Sequence, residues 1–166
     1  LIGYNEGNGH PFSFSSIFNG FNENNIELCP YGTIPNYLKK NNSNKKLLQT
    51  SKVTHIWTQD VSISKNIANF SNIPNIVKSL DEMIGEIDAV ILARDDYENH
   101  YRNISKFIVE EIPIFIDKPL AIKVIEVKNI LSKQKFPGQI YSLSALANDD
   151  KVISAKDKLN SIGKIN

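Results

Sequence analysis

Short, almost unbroken apolar runs alternate along this chain with segments whose apolar residues recur at helical spacing, and this alternation narrows the possible folds more than any other feature. Val53-Thr54-His55-Ile56-Trp57 is β-branched and aromatic, Ile87 to Ala93 is nearly continuous in apolar residues, and Ile112-Pro113-Ile114-Phe115-Ile116 repeats the pattern. Strands covered on both faces read this way. Shorter strands are expected at Leu1 to Tyr4, Asn75 to Lys78 and Gln139 to Leu146. Helices fall in the gaps, over Phe12 to Phe21 and after Asp60, where Ile63, Ile67 and Phe70 share a face. Ser79-Leu80-Asp81-Glu82 has the form of a capping box. Ile104, Phe107 and Ile108 mark a helix between Asp96 and Glu111; Val124, Val127, Ile130 and Leu131 mark another before Gly138, and Asp149 to Ser161 a last one. Strand and helix in alternation imply β-α-β units, so the expected class is α/β with a doubly wound parallel sheet.

One stretch breaks the rhythm. Residues 22–51 are rich in Asn and Lys and read as an insertion lying outside the main sheet, with a short helix after Pro35 and a loop tip at Asn41 to Lys46. At the ends, Leu1-Ile2-Gly3-Tyr4 reads as a strand already under way and Gly163 to Asn166 follows directly on a helical pattern, so a fragment of a longer chain is expected.

Composition removes several classes of partner. Nineteen basic and eighteen acidic residues leave a net charge of +1, and Arg occurs only at 94 and 102, so no basic surface for nucleic acid is expected. No apolar run has the length of a membrane span. Cys29 is the single cysteine, which excludes an intrachain disulfide and a multi-cysteine metal site, fits a reducing cytoplasm, and leaves no metal expected.

Four clusters carry possible chemistry. Gly3-Tyr4-Asn5-Glu6-Gly7-Asn8-Gly9-His10-Pro11 links the first strand to the first helix. Glycines in such a loop let backbone N–H groups approach a pyrophosphate at a helix N-terminus, although a plain polar loop fits equally well, since Asn5 and Asn8 stand where a Gly-x-Gly-x-x-Gly pattern has glycine. Asp60 follows the second long strand, placed either to accept ribose hydroxyls, which favours NAD over NADP, or to cap the next helix. Ala93-Arg94-Asp95-Asp96-Tyr97-Glu98-Asn99-His100 follows the fourth strand, at the sheet edge where ligands gather, with His100 open to an ordinary first-turn role. Asp117-Lys118-Pro119 ends the fifth strand, where Lys118 either offers a positive charge to a substrate hydroxyl or is a surface lysine.

In their order, these clusters resemble the Gfo/Idh/MocA oxidoreductases, the glucose-fructose oxidoreductase and inositol dehydrogenase family, whose Glu-Lys-Pro signature is here Asp117-Lys118-Pro119. The resemblance implies a Rossmann-type domain over residues 1–146, with the insertion at 22–51, and a crossover helix over 147–166 leading to a second α/β domain missing from this chain. It implies hydride transfer between a nicotinamide cofactor, NAD before NADP, and a secondary alcohol carbon of a sugar, polyol or related compound. Lys118 is then catalytic, and Gly3, Asn5, Gly7, Asn8, Gly9, His10, Asp60, Ala93, Arg94, Asp95, His100, Asp117 and Pro119 surround the cofactor. The family's proton-accepting His, and a homo-oligomer interface, belong to the second domain, so His10 and His100 are set aside as general base. The rival reading is a non-catalytic nucleotide-binding or regulatory module.

Overall fold

The computed structural model describes residues 1–40 and 50–162, leaving aside the side chains of 145, 157 and 159–162. Among these residues five strands form: β1 (His55–Ile56), β2 (Asn75–Ile76), β3 (Val90–Leu92), β4 (Ile114–Ile116) and β5 (Ile140–Tyr141). All their pairings are parallel: Ile56 lies beside Ile76, Leu92 beside Ile116, and Phe115 beside Tyr141. Ile2 stitches the two halves together by bridging Trp57 on one side and Leu92 on the other. Its N–H donates to the Ile91 carbonyl at 2.8 Å and its own carbonyl accepts from Ala93 N–H at 2.7 Å, while Gly3 N–H donates to the Trp57 carbonyl at 3.1 Å. With the opening segment counted as the first strand, the spatial order is 3-2-1-4-5-6, the doubly wound Rossmann arrangement.

Alternation along the strands distributes side chains to the two faces. Leu1 and Ala93 join a core with Phe12, Leu38, Ile56, Ile67 and Phe70. Ile2, Val90 and Leu92 join the opposite one, with Met83, Ile104, Phe107, Ile116 and Ile130. On the first face lie α1 (His10–Asn19), α2 (Thr33–Lys40) and α3 (Val61–Ser71); α4 (His100–Val109) and α5 (Val124–Leu131) cover the second through Ile104, Phe107 and Ile130. Polar side chains join α1 to α3 as well, because Ser15 Oγ donates to Ser71 Oγ at 2.7 Å within a fully buried contact.

The expected elements appear, with shorter strands. Ser79 opens a 3-10 turn at Leu80–Met83, its backbone N–H donating to Glu82 Oε1 at 2.9 Å. Gln139 to Leu146 does not make one strand. Only Ile140–Tyr141 pairs; Gln139 is buried and its amide donates to the Ile108 carbonyl at 3.0 Å, and Ala145–Asn148 coils into a 3-10 turn. The described part of the 22–51 segment holds a 3-10 turn at Glu23–Leu28 and α2, with no strand; the expected tip at Asn41 to Lys46 lies outside the described residues. α6 (Asp150–Ile162) follows, its described side chains exposed.

Candidate functional site at the carboxyl edge of the sheet

The glycine loop leaves the sheet at Gly3, between the ends of β1 and β3, and runs directly into α1. Its three glycines serve different ends. A Cβ on Gly3 would stand 2.8 Å from Pro11 Cγ, so the absence of a side chain lets the loop fold back on the start of α1. A Cβ on Gly9 would stand 2.6 Å from Ile34 Cδ1 and 3.0 Å from the Tyr31 ring. Gly7, with φ +83° and nothing near the Cβ position, is the one that faces open space in a backbone conformation suited to glycine. Two of the three are therefore required by the protein's own packing, and Gly7 presents backbone outward.

The loop also answers several of its own donors. Asn8 is buried and its Oδ1 accepts from His10 N–H at 2.7 Å; Pro11 has no N–H; Phe12 N–H donates to the Gly9 carbonyl at 3.1 Å. The α1 N-terminus thus offers an anion fewer free amides than a regular helix start.

From the end of β3, Arg94 clamps the loop. Its Nη1 donates to the Tyr4 carbonyl at 2.8 Å and to Gln59 Oε1 at 3.0 Å, and the Gln59 side-chain amide donates to the same carbonyl. Its other nitrogens hold Asp96 in a two-point pair at 2.7 and 2.5 Å. Burial alone would raise the Asp96 carboxyl, but hydrogen bonds from Arg94 and Asn99 and the guanidinium charge outweigh it and hold the acid below the ordinary carboxylate range. Such a group contributes stability above its unfolded value, about 3.9, and loses that contribution as the pH falls through the lower folded value. In urea unfolding, Asp96→Asn is expected to be less stable than the parent at pH 7, the two midpoints converging as the medium is acidified into that range.

Asn5 and Asp95 form a second link, with Asn5 Nδ2 donating to Asp95 Oδ1 at 2.5 Å and Asp95 N–H donating to Asn5 Oδ1 at 3.3 Å. A third joins the loop to the end of β4. Asp117 is 2% exposed; its Oδ2 accepts from the Nδ1–H of His10 and, at 3.5 Å, from Asn8 Nδ2, while its Oδ1 accepts from Lys118 N–H at 2.8 Å. Lys118 is exposed, with no ion pair among the described residues, and its bond to Pro119 is cis.

Gly3, Asn5, Gly7, Asn8, Gly9, His10, Arg94, Asp95, Asp117 and Lys118 are thus brought together at one edge of the sheet. Ala93 is fully buried beneath them. Asp60 stands apart from this network at the end of the β1 segment, exposed, its Oδ1 capping α3 by accepting from Ser62 N–H at 2.7 Å. His100 does not join the edge. It is fully buried, with Nε2 2.9 Å from the Arg94 carbonyl and Nδ1 3.2 Å from the Leu120 carbonyl, and it ties the ends of β3 and β4 together from below. Sequence reasoning missed Gln59 and Tyr31. The Tyr31 hydroxyl lies 3.0 Å from that of Tyr4, so the inserted segment walls the loop, and burial followed by the Tyr4 contact pushes the Tyr31 phenol up. Burial likewise pushes the Cys29 thiol up, against the nucleophilic thiolate form.

Among the described residues no three of His, Cys, Asp and Glu converge to hold a metal ion, and no helix is long and apolar enough to cross a membrane. A dinucleotide fits the residues present. Gly7 is open at the edge, α1 starts beside it, and the Asp60 oxygen not used in capping has no partner among the described residues. A separate concavity of about 630 Å³ lies between α4 and α5, with Tyr97, Tyr101, Glu126 and Lys133 among its walls and no residue of the loop.

Residues 32–144 match the model of the GFO_IDH_MocA oxidoreductase family, described as an NAD-binding Rossmann fold. A crystal structure of a "putative oxidoreductase" from Magnetospirillum magnetotacticum MS-1 superposes with a TM-score of 0.55 at 18% identity, over 71% of this chain and 38% of that one. At that identity the likeness concerns the fold, and this chain spans well under half the length of that protein. No curated protein matches the chain.

Proposed function

This chain belongs to the Gfo/Idh/MocA oxidoreductase family, in its NAD-binding Rossmann part, and from that premise we propose that it is the dinucleotide-binding portion of an enzyme moving a hydride between nicotinamide and a secondary alcohol carbon of a sugar, polyol or related compound. The observation that carries the proposal is the position of the glycine loop. It leaves the sheet beside Ile2, where the strand order reverses, and such a switch point is where open α/β sheets bind ligands. Gly7 and the start of α1 receive the pyrophosphate, and Asp60 receives the adenosine ribose. Asn5, Asp95 and the Arg94 clamp set the shape of the loop around it.

The cofactor, when bound, supplies the hydride acceptor or donor. Lys118 supplies a positive charge at the end of β4, which stabilises the negative charge developing on the substrate oxygen. Asp117 fixes the backbone from which that lysine projects, by accepting Lys118 N–H. The substrate pocket is completed by a second domain outside this chain, which also carries the homo-oligomer contacts, and the enzyme works in the cytoplasm.

The test is a calorimetric titration of the protein with NADH and with NADPH. NADH is expected to bind roughly tenfold more tightly, about 1.4 kcal/mol, because the Asp60 carboxylate repels a 2'-phosphate. Asp60→Ala is expected to narrow that preference. Equal affinities in the parent, or a preference for NADPH, would remove Asp60 from the ribose site. If neither nucleotide binds, a non-catalytic module becomes the better account, and the amides already used inside the loop are its supporting observation.

A further inference from the structure

Tyr31 of the inserted segment rests on the glycine loop, and it lies one residue before the stretch that matches the family. Its ring meets Phe12 of α1 edge-on at 6.1 Å, and a Cβ on Gly9 would stand 3.0 Å from it, so the ring packs directly on the start of α1. The Tyr31 carbonyl accepts from Ile34 N–H at 2.9 Å, which ties the residue to the beginning of α2. Its hydroxyl lies 3.0 Å from the hydroxyl of Tyr4. Tyr4 is held on both sides of its backbone: its N–H donates to Gln59 Oε1 at 3.2 Å, and its carbonyl accepts from Arg94 Nη1 at 2.8 Å.

A phenol carries one O–H, so a bonded pair has two hydrogens and uses one of them internally. The second has no acceptor among the described residues. Burial, followed by the Tyr4 contact, pushes the Tyr31 phenol up, which keeps its proton in place for donation. The pair is therefore a donor without an acceptor. The loop beside it has spent its donors: Asn8 N–H goes to the Asn5 carbonyl at 3.1 Å, His10 N–H to Asn8 Oδ1 at 2.7 Å and Phe12 N–H to the Gly9 carbonyl at 3.1 Å, while Pro11 has none. An anion seated here needs hydrogen bonds that this helix start does not supply.

We propose that Tyr31 brings the inserted segment into the dinucleotide site: its hydroxyl donates to that of Tyr4, and the Tyr4 O–H donates to a non-bridging oxygen of the cofactor's pyrophosphate. The inference rests on the dinucleotide reading above. Tyr4 takes the outward hydrogen because it belongs to the open loop, whereas Tyr31 is the residue packed against α1. Phosphate oxygens are charged acceptors, which is the chemistry a spare O–H selects. Tyr31 is then a positioning residue, and its donation polarises the outer O–H and strengthens it as a donor.

Tyrosine-to-phenylalanine substitutions keep the rings, and with them the packing on Phe12 and Gly9. Calorimetry is run with NADH and with ADP-ribose, which has the same pyrophosphate and no nicotinamide. Tyr4→Phe is expected to bind both about 10–100-fold more weakly than the parent, the range for a hydrogen bond to a charged group. Tyr31→Phe is expected to lose about three- to tenfold, as for a neutral hydrogen bond. The double variant should lose no more than Tyr4→Phe alone, because the two hydroxyls act as one unit. Carbon-13 NMR of the tyrosine Cζ positions reads the contact in the unaltered protein: ADP-ribose is expected to shift Tyr4 and, to a smaller extent, Tyr31, and adenosine, which has no phosphate, to shift neither. Parental affinity in both single variants, additive losses in the double one, or Cζ signals unmoved at saturating ADP-ribose would overturn the relay. Equal shifts with adenosine would also overturn it, by giving the hydroxyls to the nucleoside. If neither NADH nor ADP-ribose binds the parent, the dinucleotide reading itself fails and the relay falls with it.

Discussion

Lys118→Met in the complete enzyme is expected to lower turnover by about 10²–10³-fold, the usual effect of deleting one group that stabilises charge on a reacting oxygen, while the affinity for NADH stays close to that of the parent. The separation follows from where the side chain sits. Lys118 ends β4, is exposed, and has no ion pair among the described residues, so its charge is not committed to the fold. The groups assigned to pyrophosphate and adenosine come from the loop at 3–10 and from Asp60. Methionine keeps the length and the apolar stem and removes only the charge. Steady-state kinetics alongside calorimetry read both quantities. A variant with parental turnover would show that the ammonium takes no part in the reaction; a parallel loss of NADH affinity would make it a binding residue.

Phe70→Ala is expected to destabilise the domain by about 3–5 kcal/mol, the range for deleting a large aromatic from a well-packed core. Phe70 lies on α3, is fully buried, and meets Phe12 of α1 edge-on at 5.5 Å and Phe21 stacked at 5.6 Å. Its carbonyl also accepts from Asn22 N–H at 2.8 Å, where the inserted segment departs. One ring therefore ties together α1, α3 and the start of the insertion, and these set where the glycine loop lies. Denaturant unfolding measures the loss, and a change below about 1 kcal/mol would mean that neighbouring side chains close the cavity.

The architecture was legible because it is carried by periodicity. Ile114 and Ile116 point to one face and pair with Val90 and Leu92, as an apolar run between two helix-period segments implies. Strand lengths were less legible. Pro113 has no N–H to donate, and the strand begins only at Ile114, with the Pro113 carbonyl accepting from Val90. At Gln139 the side chain turns inward to satisfy carbonyls at the end of α4, a demand that no local pattern records.

The candidate site divides in the same way. Its location followed from apolar runs that end in polar clusters, the rule for the carboxyl edge of an α/β sheet. Its internal wiring did not, because it joins residues far apart in sequence: His10 meets Asp117 across 107 positions, and Asn5 meets Asp95 across 90. The glycines illustrate the limit well. All three suited a phosphate loop, yet Gly3 and Gly9 are held to glycine by Pro11, Ile34 and Tyr31, and the segment carrying Tyr31 reads in sequence as an excursion away from the sheet.

The central claim is that a dinucleotide lies on this edge, and backbone amide NMR during an NADH titration tests it most directly. Saturable shifts are expected at Gly7, Gly9 and the first turn of α1, with smaller ones near Asp60, Asp95 and Lys118. Shifts confined instead to Tyr97, Tyr101, Glu126 and Lys133, around the concavity between α4 and α5, with the glycine loop unmoved, would contradict it.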